Sequence, residues 1–217
     1  MKTLYELLMD NYNTLSENAD PNSLDRMEVE KWINENYSVN GVLDISKKPN
    51  KDNKYVVSCN GTLRLRSHSE LTHLTNGMFI FKNVTNFFCQ HAYSLETLEG
   101  APTECKEFWC SGCNKLKDLV GSPKKVIELH CDGCFGLKTL KGCSRFAYYV
   151  YCDSCHGLES LEGAPRQLQT LSIEQCYSLK KANIKKLPKS IATCYSRGCG
   201  YSRQDILNNS QVGDFVN

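Results

Sequence analysis

Three Cys-x-x-Cys pairs, Cys110/Cys113, Cys131/Cys134 and Cys152/Cys155, are the residues of this 217-residue chain whose types and spacing best suit chemistry. Paired thiolates at that separation bind zinc or cycle as a redox couple. The histidines offer less. His68, His73, His91, His130 and His156 do not gather around a nucleophile in sequence, and only His130, with Asp132 and Asp153, makes an imidazole–carboxylate grouping. No glycine-rich phosphate loop is present. The thirteen cysteines are an odd number, at about 6% of residues, below the density of small disulfide scaffolds. That usage predicts free thiols in a reducing, cytoplasmic setting.

What positions these cysteines is a repeat. Leu95, Leu116, Leu137, Leu158 and Leu179 recur at one constant interval. Leu98, Leu119, Leu140 and Leu161 follow in step, then Gly100, Gly121, Gly142 and Gly163, with prolines at 102, 123 and 165. Cys110, Cys131 and Cys152 form one cysteine column, interrupted by Ile173 and resumed at Cys194; Cys113, Cys134, Cys155 and Cys176 form a second. A fixed period of this length predicts stacked coils in a solenoid. Upstream, Leu63 and Leu65 align with Leu129 and Cys131. The following coil carries three extra residues around Asn76 to Phe81, predicted as a bulged loop, and Val42 to Ile45 reads as a degenerate first strand. About seven coils result.

The unit, V-x-x-L-x-C-x-G-C-x-x-L-x-x-L-x-G-x-P, resembles the leucine-rich repeat, and its glycine-proline segment is similar to the short repeats of bacterial and bacteriophage proteins. The likeness covers about residues 60–200. It implies an α/β solenoid, a leucine-rich-repeat-like stack of short parallel strands with a helical N-terminal cap. Residues 1–58 would be that cap and lead-in strand, 59–200 the solenoid and 201–217 a C-terminal cap or tail. Helical spacing predicts helices over 2–16 and over 23–36, the latter burying Met27, Val29, Trp32 and Ile33. Residues 47–54 read as a polar loop, and Ser202 to Phe215 as a short helix or tail.

In the repeat register both cysteine columns face inward as small apolar side chains, and Ile173 in the first column fits packing better than metal ligation. Strand alternation then sends the residues between them to the concave face. The middle column reads Arg64, Phe88, Trp109, His130, Tyr151, Ser172, Thr193. Flanking it are Thr62, Asn86, Glu107, Glu128, Tyr149, Thr170, Ile191 on one side and Arg66, Gln90, Ser111, Asp132, Asp153, Glu174, Tyr195 on the other. The expected binding residues are therefore Phe88, Trp109, His130, Tyr149 and Tyr151 among Glu107, Glu128, Asp132, Asp153 and Glu174. Exposed clustered rings are what interface hot spots are made of. The alternative is that the stacked rings only stabilise the sheet.

The resulting expectation is a non-enzymatic protein-binding module without a cofactor, whose partner is basic where it touches the acids. The resemblance adds a phage accessory protein that sequesters or occludes a host defence factor. Competing readings are a metal-binding or redox protein using the Cys-x-x-Cys series, and a nucleotide or small-molecule sponge. Acids on the concave face make nucleic acid an unfavourable ligand there. Lys115, Lys117, Lys124, Lys125, Lys138, Lys141, Arg145 and Arg166 read as a solvated face on turns, with contact to an acidic partner or nucleic acid as the alternative. The composition, 41% hydrophobic and 23% charged with net charge +2, excludes a wholly disordered chain and any global attraction to nucleic acid. The longest apolar runs fall short of the ~18 residues of a membrane span. Asp10, close behind the apolar Leu7 to Met9, argues against a signal peptide.

Overall fold

The structure, a computed structural model, describes residues 21–66, 70–75 and 77–216. The helix expected over 2–16, together with His68 and Asn76, lies outside the described residues. Helix α1 (Pro21–Asn36) leads into a long antiparallel pair, β1 (Tyr37–Ile45) and β2 (Tyr55–Leu65). The chain then winds through β3 (Phe79–Lys82), β4 (Asn86–Phe88), β5 (Glu107–Trp109), β6 (Glu128–His130), β7 (Tyr149–Tyr151), β8 (Gln167–Ser172) and β9 (Ser190–Tyr195). A 3₁₀ turn at Lys181–Lys186 precedes β9, and α2 (Arg203–Asn209) and β10 (Gln211–Val216) follow it. One sheet holds them all: β2, β4, β5, β6, β7, β8, β9 and β10 lie parallel in that order, β1 closes one edge, and β3 pairs with β2 ahead of β4. The molecule is a parallel β-solenoid of about eight turns with ~21-residue spacing and few helices.

The repeat columns explain why the chain coils this way. Each three-residue strand buries only its central residue: Phe87, Phe108, Leu129 and Val150 are fully buried between half-exposed neighbours. Both cysteine columns and both leucine columns point into the same interior. Between the two inward-facing columns, filled by a cysteine pair in the coils of Cys110, Cys131 and Cys152, the backbone takes a positive φ after each strand from β4 to β9, at His91, Gly112, Gly133, Ser154, Gln175 and Gly198. That left-handed residue turns the chain sharply enough to bring the second column back inside. Glycine at 142 is required twice over. Its φ is +90°, and a Cβ there would stand 2.4 Å from the backbone nitrogen of Val120 in the preceding coil.

The N-terminal end is closed by rings. Tyr37 packs against Phe81 and Phe87, Phe79 against Phe81, and Trp32 of α1 against Phe79, with ring centroids 5.1–5.7 Å apart. The Tyr37 hydroxyl, buried with them, donates to the carbonyl of Leu74 at 2.6 Å. α1 contributes Val29 and Ile33 to this cluster, whereas Met27 is exposed and α1 begins two residues before the expected start.

Four expectations are corrected here. Phe79 to Phe81 are not a bulged loop: the three extra residues let the chain add β3, which pairs with the first half of β2. Val42 to Ile45 belong to an antiparallel hairpin strand and not to a first coil, with 47–54 as its polar loop, where Asn50 Oδ1 accepts the backbone N–H groups of Asp52 and Lys54. The C-terminal segment is a helix followed by the parallel strand β10. Finally, the 3₁₀ turn lengthens the last repeat by two residues. Thr193 therefore pairs with Thr170, and Tyr195 with Ser172. Tyr195 stands in the middle column, Arg197 follows in the acidic one, and Cys194 pairs with the core Leu171, leaving the buried Ser196 in the first cysteine column.

Candidate functional site

The columns expected on the concave face assemble in register through β8: Thr62, Asn86, Glu107, Glu128, Tyr149 and Thr170 pair in series, as do Arg64, Phe88, Trp109, His130, Tyr151 and Ser172. The middle column is a continuous stack. The Arg64 guanidinium lies 4.5 Å from the Phe88 ring centre, and Phe88 meets Trp109 edge-on at 5.6 Å. Trp109 stacks on His130 at 3.9 Å and His130 on Tyr151 at 4.5 Å. Neighbouring strands lie about 4.8 Å apart, so the near-parallel rings of Trp109, His130 and Tyr151 cover one another's faces. His130 is only 14% exposed for that reason. A ligand therefore meets the outward sides of this stack and not the faces between Trp109, His130 and Tyr151.

The acids hold this row in place and are partly used in doing so. Glu107 accepts the indole N–H of Trp109 at 3.2 Å, and Glu128 lies 3.5 Å from His130 Nε2. On the other flank, Asp132 Oδ1 accepts the backbone N–H of Asp153 at 3.0 Å, and Asp153 Oδ1 accepts that of Glu174 at 2.8 Å. Ser111 and Ser172 donate to the same two carboxylates, at 3.2 and 2.6 Å. These aspartates therefore stitch successive coils together where the chain leaves the sheet. Burial raises the Asp153 carboxyl, against the lowering effect of the Ser172 and Glu174 donors. Burial and the Glu128 charge push the Tyr151 phenol up, so it stays protonated and can donate. Glu174 pairs with Arg197 at 3.3 Å. The face thus runs from cationic at Arg64 and Arg66, through anionic at Glu107, Glu128 and Asp132, to an ion pair at its far end.

The cysteines are more than apolar filler. Cys113, Cys134, Cys155 and Cys176 each donate a thiol hydrogen to a carbonyl in the preceding coil, of Cys89, Cys110, Cys131 and Cys152, at 3.0–3.1 Å. Cys131 and Cys152 of the first column donate the other way, to the carbonyls of Tyr151 and Ser172, at 3.4 and 3.2 Å. The second-column thiols give donors to carbonyls as each coil turns out of the sheet, where an unpaired acceptor would be costly. The Tyr151 and Ser172 carbonyls, by contrast, already accept the backbone N–H groups of Cys131 and Cys152. All thirteen cysteines are free thiols, and those of the two columns are fully buried. Burial pushes the Cys89 and Cys176 thiols up. At Cys110 and Cys155 the neighbouring thiol that shares a hydrogen bond raises them first, and burial adds to it. The hydrogen bond with Cys131 lowers the Cys152 thiol, but burial and the neighbouring groups raise it on balance. Among the described residues no three metal-ligating side chains converge on one point.

Two sets of rings at the surface were missed from sequence. Phe135, His156 and Tyr177, evenly spaced in the chain, stack at 5.1 and 5.4 Å on the edge where the strands end. The equal spacing of three aromatic side chains was the available signal. On the opposite edge, Phe146 and Tyr148 stand exposed among basic residues. Among the described residues no helix is long and apolar enough to cross a membrane. No protein-family model, curated protein or solved structure matches the chain.

Proposed function

We propose that the chain is a leucine-rich-repeat-like binding module that captures a protein through its concave face. Trp109, His130 and Tyr151 form the centre of the contact, Phe88 and Tyr149 flank it, and Glu107, Glu128, Asp132, Asp153 and Glu174 set its charge. The observation that carries this reading is the preorganised ring row bordered by carboxylates. A rigid surface binds with little ordering cost, and ring edges carry partial positive charge that suits carbonyl oxygens beside a basic residue paired to Glu128. The mechanism is occlusion, and the role proposed with it is a phage accessory protein that masks a host defence factor in the cytoplasm.

The test compares wild type with Glu128→Lys and with Trp109→Ala/Tyr151→Ala in capture from the native cell, followed by titration of the captured protein. Glu128 is not one of the stacked rings, although it lies 3.5 Å from His130 Nε2, so its reversal should weaken binding roughly tenfold or more, with circular dichroism checking the fold. The double alanine variant should lose capture while circular dichroism stays unchanged. Unaltered affinity in Glu128→Lys, or unfolding of the alanine variant, would assign the rings to sheet stability alone.

A further inference from the structure

The edge of the sheet where the strands begin is chemically the reverse of the ring face. Gln167 pairs with Ser190, which sets Arg166 and Lys189 side by side just before them. Stepping back by single repeats gives Arg145 and Lys124 at the same corner. Four consecutive coils therefore carry a cation in one column, about 4.8 Å per coil. Like charges so placed repel. Several other basic residues of the chain meet carboxylates: Lys115 with Glu96, Lys125 with Glu104, Lys138 and Lys180 with Glu159, and Lys181 with Asp205. Lys124, Arg145, Arg166 and Lys189 form no ion pair among the described residues.

Two rings rise from this column. Phe146 is 64% exposed and Tyr148 57%, far more than any ring of the concave stack needs to be. They line a groove of about 780 Å³ together with Arg145, Arg166 and Lys189, and no carboxylate lines it. A second groove shares both rings and adds Lys106, Ile127 and Lys125, its one acid being the Glu104 already paired to Lys125. A third, beyond Phe146, holds Lys124, Lys141 and Arg145 with a single carboxylate, Glu162. Unneutralised cations at regular spacing call for a polyanion. Uncovered rings among them call for flat apolar groups on that same polymer.

We propose that this edge binds single-stranded nucleic acid. The Arg145 and Arg166 guanidinium groups take backbone phosphates in bidentate fashion, Lys124 and Lys189 extend the track, and unpaired bases stack on Phe146 and Tyr148. An acidic peptide would neutralise the cations but leave the rings bare. A duplex would offer phosphates while keeping its base faces to itself. The site is independent of the concave face, whose acids repel phosphate, so either can stand without the other.

The test is fluorescence anisotropy with a labelled single strand of about twelve nucleotides, titrated at several salt concentrations. Four phosphate contacts predict a slope of log K against log salt of about −2.8, at about −0.7 per contact. Arg145→Gln/Arg166→Gln should halve that slope and weaken binding; both side chains are exposed, and circular dichroism checks the fold. Phe146→Ala should weaken binding roughly tenfold and leave the slope unchanged, since stacking carries no counterions. The proposal is overturned by absence of binding at low salt, by polyglutamate or duplex of equal charge competing as well as the single strand, or by variants that bind like wild type.

Discussion

The central coils and the two ends of the solenoid solve the same problem with different chemistry. From β4 to β8 the register advances by one unvarying repeat, and each coil is covered on both sides by a near copy of itself. Small thiols then suffice, because the neighbour supplies both the packing surface and the carbonyl that each S–H needs. An end coil has no such neighbour. At the N-terminus the repeat that pairs Leu63 with Phe87 is three residues longer than those of the centre, and the space is filled by Trp32, Tyr37, Phe79 and Phe81. At the C-terminus the repeat that pairs Leu171 with Cys194 is two residues longer. There α2 carries a capping box, in which Ser202 and Asp205 exchange hydrogen bonds. Periodicity holds where translation supplies a partner and breaks where the chain must supply its own lid.

The largest test of this contrast is alkaline. Shared hydrogen bonds and burial raise the folded thiols of Cys110, Cys131 and Cys155, burial raises that of Cys89, and at Cys152 a lowering hydrogen bond is outweighed by burial. The folded state therefore holds protons that the unfolded chain releases above about pH 8.5. Their contribution to stability is complete below that pH and is lost as pH rises towards the folded values. Each withdraws roughly 1.4 kcal/mol per pH unit, about 7 kcal/mol together, against a typical total of about 5–15. Circular dichroism should show cooperative unfolding near pH 10, and a fold intact at about pH 12 would refute the thiol account of the central coils. Next in size, Phe81→Ala removes the ring at the heart of the N-terminal cluster and should cost about 3–5 kcal/mol in denaturant unfolding. A loss below about 1 kcal/mol would mean that the rings do not close this end. The smallest effect belongs to the other end. Ser202→Ala should cost about 1 kcal/mol and loosen α2 in hydrogen exchange. The Ser202 hydroxyl and N–H, with Lys181, lower the Asp205 carboxyl to about 2. The cap is therefore fully formed above about pH 4 and should loosen as pH falls towards 2, a change that Ser202→Ala should blunt.

Legibility in the sequence follows the same division. The interior and concave columns through β8 could be read because one register, repeated, determines every side chain's direction. The end coils could not. Whether three extra residues bulge or add a strand depends on whether β2 is long enough to pair twice, and nothing in Phe79 to Lys82 states the length of Tyr55–Leu65. The two-residue lengthening before β9 was hidden because Cys194 fell on the repeat grid by chance, while Ser196 occupies the inward position. Within the candidate site, residue types gave the rings and acids but not their mutual use. That Asp132 and Asp153 bind the next coil's backbone, and that ring faces are already covered, depends on distances of a few tenths of an ångström. Lys124, Arg145 and Arg166 were legible as part of a basic face on the turns, but not as a column without acidic partners, because in sequence they look no different from lysines that have them. The column's fourth cation, Lys189, sits two residues off the repeat.

The account depends above all on sulfurs facing inward and rings outward, and native-state thiol labelling tests this most directly. A brief pulse of a maleimide on the folded protein, read by peptide mass spectrometry, should modify the partly exposed Cys105 and Cys199 and spare Cys110, Cys113, Cys131, Cys134, Cys152, Cys155 and Cys176 until denaturant is added. Rapid labelling of those seven in the native state, or their protection by stoichiometric zinc that a chelator removes, would contradict it.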